Sequence, residues 1–412
     1  MTDLYYPLRS LAVGNWFKLI CGASFQHLPA VRNLTLAYAL AGADCIDVAA
    51  DPAVISAARD GLRVAEALRS VAQAKGFTAY SHPFLMVSLN DGEDPHFRKA
   101  VFNPTICPAD CSRPCEKICP ADAIVFNAQA SFAPKKFTEG DGFLGIDDGF
   151  LSIDQFSGVI DQRCYGCGRC LPVCPIQQIS TRSYVFTPTA MAPLVLSGVD
   201  AVEIHTQVGR LEDFQRLWRA IEPHLPHLKV VAISCPDGEG LIDYLWSLAE
   251  VMMPLPCALI WQTDGRPMSG DIGDGTTRAA VKLGQKVLSA GLPGYVQLAG
   301  GTNRHTVEKL KVGGLLNHIS GIQFNPANLI NSVDALPNRY IAGVAYGSYA
   351  RALLAPVLEQ LEEQSNVKVA GGQRGGALSP VSLHLEDDSE LLWQAVHLAA
   401  SLVSPLKESI CA

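Results

Sequence analysis

The segment RCYGCGRCLPVCP, residues 163–175, sets cysteines at 164, 167, 170 and 174 and follows the last with proline. Gaps of two, two and three residues before a Cys-Pro pair are the run of bacterial two-cluster ferredoxins. There, three thiolates hold three irons of one [4Fe-4S] cube, and the fourth, set apart by the proline turn, reaches the other cube. Gly166 and Gly168 allow the tight backbone path such wrapping needs.

A second run stands upstream. CPADCSRPCEKICPADAI, residues 107–124, places Cys107, Cys111, Cys115 and Cys119 four apart. On a helix they would form one stripe, but Pro108, Pro114 and Pro120 oppose a helix, because proline lacks the N–H and drives its predecessor to extended geometry. A structural zinc site, often four thiolates, or a single cube is the alternative. Read with the downstream run, the cysteines predict two [4Fe-4S] clusters with crossed fourth ligands. Cys107, Cys111, Cys115 and Cys174 hold cluster 1, and Cys164, Cys167, Cys170 and Cys119 hold cluster 2. The early gaps of the first run are one residue longer than in the ferredoxin pattern. Between the runs, FLSIDQFSGVIDQ (150–162) reads as a short hairpin.

Outside 101–185 the texture changes to short β-rich runs alternating with helical stretches. Candidate strands lie at 17–23, 45–50, 84–90, 201–206, 229–235, 258–264, 294–300 and 340–347. Eight strands with helices between them predict an α/β fold, a TIM-barrel-like (β/α)8 domain carrying an inserted two-[4Fe-4S] ferredoxin-like domain. An open doubly wound sheet is the alternative. The expected domains are 1–100 and 186–351 as the two parts of the barrel, 101–185 as the insert, and 352–412 as a C-terminal helical extension packed on the barrel. Asp51-Pro52 opens one helix, with Val54, Ala57, Ala58, Leu62, Ala65 and Leu68 on one face. HTVEKLKVGGLL (305–316) opens another. SELLWQAVHLAASLVSPL (389–406) carries an apolar stripe of Leu391, Leu392, Ala395, Val396, Ala399, Leu402 and Val403, read as packing onto the barrel, with a partner-binding helix as the alternative.

Barrel active sites lie at the C-terminal ends of the strands. Several strands carry polar residues where apolar ones would pack best: Lys18, Asp47, Ser88 with Asn90, Glu203 with His205, Gln262 with Asp264, and Gln297. Lys18, Asp47 and Glu203 are expected to face one cavity, either as a site or as a satisfied polar network, since buried charges are rare unless paired. LAGGTN (298–303) and AYGSYAR (345–351) follow strands seven and eight. Gly300, Gly301, Gly347 and Ser348 form a candidate phosphate cradle there, with Arg351 near, for FMN or another phosphate ligand. The loop 264–277 is a candidate cover. Cys21, Cys45, Cys235 and Cys257 lie in or beside strands and read as small core residues, with a reactive thiol at Cys21 or Cys235 as the alternative.

Composition excludes some classes. A net charge of −8 offers no basic face for nucleic acid. No long apolar run predicts a transmembrane segment, and the start shows no targeting pattern, so a cytoplasmic protein is expected. Thirteen cysteines in such a chain point to metal rather than disulfides.

The opening GNWFKLICGASFQHLPAVRNLTLAYALAGADCIDVAADPAVI, the two cysteine runs and the late GVAYGSYAR together resemble the LdpA (light-dependent period) family of cyanobacteria, over nearly the whole chain. The resemblance implies an iron–sulfur protein that reports light-dependent cellular redox state to the circadian clock, in association with clock proteins such as KaiA, CikA and SasA. The segment 321–347 is long for a link between helix seven and strand eight. The expected function is thus redox sensing or electron transfer with redox partners. The rival is a barrel oxidoreductase passing electrons between the clusters and a flavin or small phosphorylated ligand, and a third reading is an interaction module whose clusters only fold the insert.

Overall fold

The computed structural model describes residues 6–21, 27–79, 81–92, 98–119, 123–126, 157–160, 163–164, 170–183, 188–265, 275–317, 340–371 and 384–408. The chain divides into two compact units. One comprises residues 1–94, 185–374 and 381–412; the other comprises 95–184 with 375–380.

The larger unit is a closed parallel barrel. In chain order its strands are β1 (Trp16–Ile20), β2 (Cys45–Ala49), β3 (Phe84–Asn90), β8 (Ala201–His205), β9 (Val230–Pro236), β10 (Ala258–Asp264), β11 (Tyr295–Ala299) and β12 (Ile341–Tyr346). The intervening numbers, β4 to β7, belong to the second unit. Neighbours follow chain order around the ring, and β1 closes on β12 with Trp16 opposite Gly343. Glycine is required at that seam, because a Cβ on residue 343 would lie 2.4 Å from the Trp16 carbonyl oxygen. All eight strands fall where their runs of β-branched and apolar residues place them, as expected of strands covered on both faces.

Helices α1 (Tyr6–Val13), α2 (Leu28–Ala41) and α3 (Pro52–Ala74) precede the second unit in sequence; α4 and α5 lie within it. After it come α6 (Pro188–Val195), α7 (Leu211–Ile221), α8 (Leu241–Met252), α9 (Thr277–Ser289), α10 (Thr306–Val312), α11 (Ser348–Gly371) and α12 (Ser389–Lys407). Asp51 caps α3, its carboxylate accepting from the Ala53 N–H at 2.8 Å. In α12 all seven residues of the stripe are buried, and the helix packs against α2 and α11. Trp393 stacks on Phe77 with centroids 5.9 Å apart.

The barrel interior is built in two halves. The N-terminal half is apolar, filled by Trp16, Cys45, Phe84, Met86, Ala201, Val230, Ala232 and Ile260, with Leu8 and Leu11 of α1 in the same cluster. The outer cluster of strand and helix side chains surrounds the ring. The polar residues gather in the C-terminal half.

The second unit pairs β4 (Arg98–Val101) antiparallel with β7 (Ser180–Ser183), and β5 (Ile124–Val125) antiparallel with β6 (Gly158–Val159). Of the expected hairpin within 150–162 only residues 157–160 are described, and there Gly158 and Val159 pair with the distant Val125 and Ile124. Residues 150–156 lie outside the described residues, as do most of the glycine-rich 369–380, the loop 266–274 and the segment 318–339.

Candidate metal centre and barrel interior

In the second unit the first cysteine run turns rather than spirals. The Cys111 N–H reaches the Pro108 carbonyl at 3.0 Å, and among the described residues of the run only Pro114–Lys117 (α4) forms a helical turn. Arg113, just before it, sits in the left-handed region at φ 53°. The second run contributes the short helix α5 (Cys170–Val173). Cys115, Cys164, Cys170 and Cys174 pack in one apolar cluster with Ala100, Ala123, Ile124 and Ile179, and Cys119 lies at its edge.

Cys107 lies within electrostatic reach of Cys111, Cys115 and Cys174, and Cys115 within reach of Cys174. Burial and then the neighbouring Cys111 and Cys174 push the Cys107 thiol up. Burial pushes Cys115 up, with Cys107 and Cys174 adding to it. Cys174 goes the other way. Burial would raise it, but backbone N–H groups of Gln178, Ile179, Ile176 and Gln177 outweigh that and hold it below its usual range. Further donors point at sulfur: Ala100 N–H to Cys164 at 3.4 Å, Ala123 N–H to Cys119 at 3.2 Å, and the Gln178 side-chain amide to Cys107 at 2.8 Å. Cys167 lies outside the described residues.

This donor set fits an iron–sulfur cluster. Cysteines gathered in an apolar pocket, several of them receiving N–H bonds, are what such a cluster needs to bind and to hold its charge. Among the described residues no three His, Cys, Asp or Glu side chains converge on a single-ion site. Cube ligands need not converge, since each takes a different iron.

In the barrel, Lys18, Asp47 and Glu203 do meet, all essentially excluded from solvent. The Lys18 ammonium bonds Glu203 and lies 3.3 Å from the Asp47 carboxylate. Ser88 donates to Asp47 at 2.7 Å, and Gln262 donates to Glu203 at 2.6 Å. Gln297 donates to Gln262 at 2.6 Å, and the Trp16 indole donates to Gln297 at 2.7 Å. Ser234 donates to Asp264, and Gln262 approaches Ser234 at 3.3 Å. Asn90 stays out: it is exposed and accepts from the Gly92 N–H. Ser234, missed in the sequence, points inward two residues after Ala232, and strand alternation carries that signal.

Burial works against the Lys18 charge, but Asp47 and Glu203 outweigh it and hold the ammonium well above its ordinary range. Burial lifts Asp47 to about 6 against the pull of Lys18. Glu203 is raised by burial yet pulled below its usual value by Lys18 and His205. The Nε2 of His205, 3.3 Å from the Glu203 carboxylate, is buried without a hydrogen-bond partner among the described residues.

Gly300 and Gly301, at φ 62° and 97°, end β11, and Gly347 precedes Ser348 at the start of α11, so both glycine stretches sit at the same end of adjacent strands. The Gly301 carbonyl takes Thr276 Oγ1 at 2.7 Å, and Arg351 donates to the Ile20 carbonyl at 2.9 Å and to Ser348 Oγ at 3.2 Å. Burial pushes the Cys21, Cys235 and Cys257 thiols up to about 12, which keeps them protonated and suits them to packing rather than nucleophilic work.

Residues 107–185 match a family described as the LdpA Fe-S cluster-binding domain, and residues 194–405 match the light dependent period A C-terminal domain. The chain is 46% identical to light dependent period A of Synechococcus elongatus over 98% of this chain and 95% of that protein. A crystal structure of fructose-bisphosphate aldolase from Campylobacter jejuni is similar at 11% identity and a TM-score of 0.26, covering 58% of this chain and 78% of that one; so low a score says nothing of activity. The chain belongs to the light dependent period A family and carries that family's iron–sulfur cluster-binding domain. Among the described residues no helix is long and apolar enough to cross a membrane.

Proposed function

We propose that this member of the light dependent period A family is a cytoplasmic redox sensor that reports light-dependent cellular redox state to the circadian clock. What supports the reading is the gathering of cysteines from both runs in one compact unit. Cys107, Cys111, Cys115 and Cys174 would hold one [4Fe-4S] cube, and Cys164, Cys167, Cys170 and Cys119 the other, each supplying a one-electron couple when bound. The chain's own part is to exclude water with Ala100, Ala123, Ile124 and Ile179, and to meet sulfur charge with N–H donors. One unit of charge, partly shielded by such surroundings, biases an interface by about 1 to 3 kcal/mol, the usual scale of coupling between sites. KaiA, CikA and SasA are the partners proposed from the family.

A second reading has one observation in its favour. The C-terminal half of the barrel holds a charged network where an apolar filling would cost less, in keeping with an oxidoreductase that takes a flavin or phosphorylated ligand at that end. Anaerobic purification separates the two. Two cubes predict about eight irons and eight sulfides per chain, resolved by EPR on stepwise reduction, with no flavin. Stoichiometric flavin would favour the enzyme, and zinc without sulfide would remove both.

A further inference from the structure

Gln178 stands at a place the chain builds with care. The pair β4–β7 sets Val101 opposite Ser180. After Val101 the chain turns through Pro104–Ile106, where the Asn103 side chain accepts from the Thr105 N–H, and delivers Cys107. Two residues before Ser180 stands Gln178. Its neighbour Ile179 is anchored in the cysteine-lined core at 6% exposure. On the other side Gln177 takes a left-handed φ of 52°, a strained choice for a residue other than glycine. That turn wraps the N–H groups of 176–179 around the Cys174 sulfur. It also sends the Gln178 amide to the Cys107 sulfur, 2.8 Å away. One short turn thus serves two sulfurs of the same ligand set, one through the backbone and one through a side chain.

We propose that Gln178 is a positioning residue that sets the reduction potential of the cluster held by Cys107, Cys111, Cys115 and Cys174, by donating its side-chain amide to the Cys107 sulfur. The inference rests on the reading of the chain as an iron–sulfur protein. A thiolate sulfur only accepts, so the amide N–H faces it, and the bond strengthens as negative charge on the sulfur grows. Hydrogen bonds to sulfur are among the determinants of cluster potential. The donor therefore favours the reduced form and sets the poise at which this member of the family responds. Backbone N–H groups are fixed by the fold, whereas this donor is open to tuning by one substitution.

The test is redox titration of full-length protein, purified anaerobically and followed by EPR, with Gln178→Leu and Gln178→Asn. Leucine removes the donor; asparagine keeps the amide but is one carbon too short to reach. Each should lower the reduced-to-oxidised ratio of one cluster about tenfold at fixed poise, a midpoint about 59 mV more negative for a one-electron couple. The shifted couple should be the one whose signal Cys107→Ser alters. Unchanged midpoints in either variant with full iron and sulfide overturn the proposal and leave the sensor reading standing. Loss of the cluster in both variants overturns it in favour of a purely structural role. Wild-type protein without iron and sulfide overturns the proposal and the iron–sulfur reading together.

Discussion

Lys18→Met removes the ammonium from the middle of the barrel network while keeping a side chain of similar length. The site is apolar enough to receive it, since Met86 Sδ lies 3.3 Å from Nζ. What remains is two buried carboxylates, Asp47 and Glu203, that keep the hydrogen bonds from Ser88 and Gln262 and, beside Glu203, the His205 ring. Breaking one partner out of a buried ion pair costs about 3 to 5 kcal/mol, because the other charge is left uncompensated. The deficit should depend on pH, and its sign follows from Asp47. In the folded wild type that carboxyl titrates at about 6, above its usual 3.8, so its contribution is fully present below 3.8 and is lost as pH rises through 6. Without Lys18 the Asp47 carboxyl rises further and Glu203 loses the main charge that holds it low, so the variant's stability should fall more steeply with pH and its deficit should shrink at about pH 5. Adding Glu203→Gln should recover part of the loss. All five tryptophans lie in the barrel unit, so their fluorescence during denaturant unfolding reports the barrel and not the cluster domain. A loss below about 1 kcal/mol, the scale of an exposed pair, that is also flat in pH would refute the reasoning.

If the fourth ligands cross, Cys119→Ser should alter the EPR signal of the centre held by Cys164, Cys167 and Cys170, and Cys174→Ser that of the centre held by Cys107, Cys111 and Cys115; damage confined to each run's own centre would mean that the runs close on themselves. Replacing residues 95–184 with a short Gly/Ser linker should leave a colourless barrel that unfolds cooperatively by tryptophan fluorescence, because that unit has its own core. Failure to fold would make the cysteine-lined core part of the barrel's. Iodoacetamide near pH 8 should leave Cys21, Cys235 and Cys257 unmodified in the native protein, since burial holds them protonated; rapid labelling of any of the three would show an accessible thiolate.

The barrel was legible because its strands are buried on both faces and stand out as runs such as VVAIS and ALIW, separated by capped helices. Lys18, Asp47 and Glu203 were legible for the opposite reason: charge inside such a run is expensive and must find a partner. Ser234 was hidden by being small, though its alternation with Ala232 marks it. The pairing of Gly158–Val159 with Ile124–Val125 could not be read locally, because two-residue strands carry too little pattern to identify a partner. Gln178 was invisible for a related reason. Its contact with Cys107 spans 71 positions and depends on the β4–β7 register and a left-handed turn at Gln177, neither of which leaves a mark in the sequence.

On the proposed function, association should follow the charge state of the cysteine-held unit. That dependence is tested by measuring binding of KaiA, CikA and SasA to this chain anaerobically, fully oxidised and fully reduced, with iron and sulfide verified in both states. Affinities for at least one partner should differ several-fold to about a hundredfold, and the difference should vanish when the cysteines of either run are replaced by alanine. Equal affinity for all three partners in both states, with the clusters intact, would contradict it.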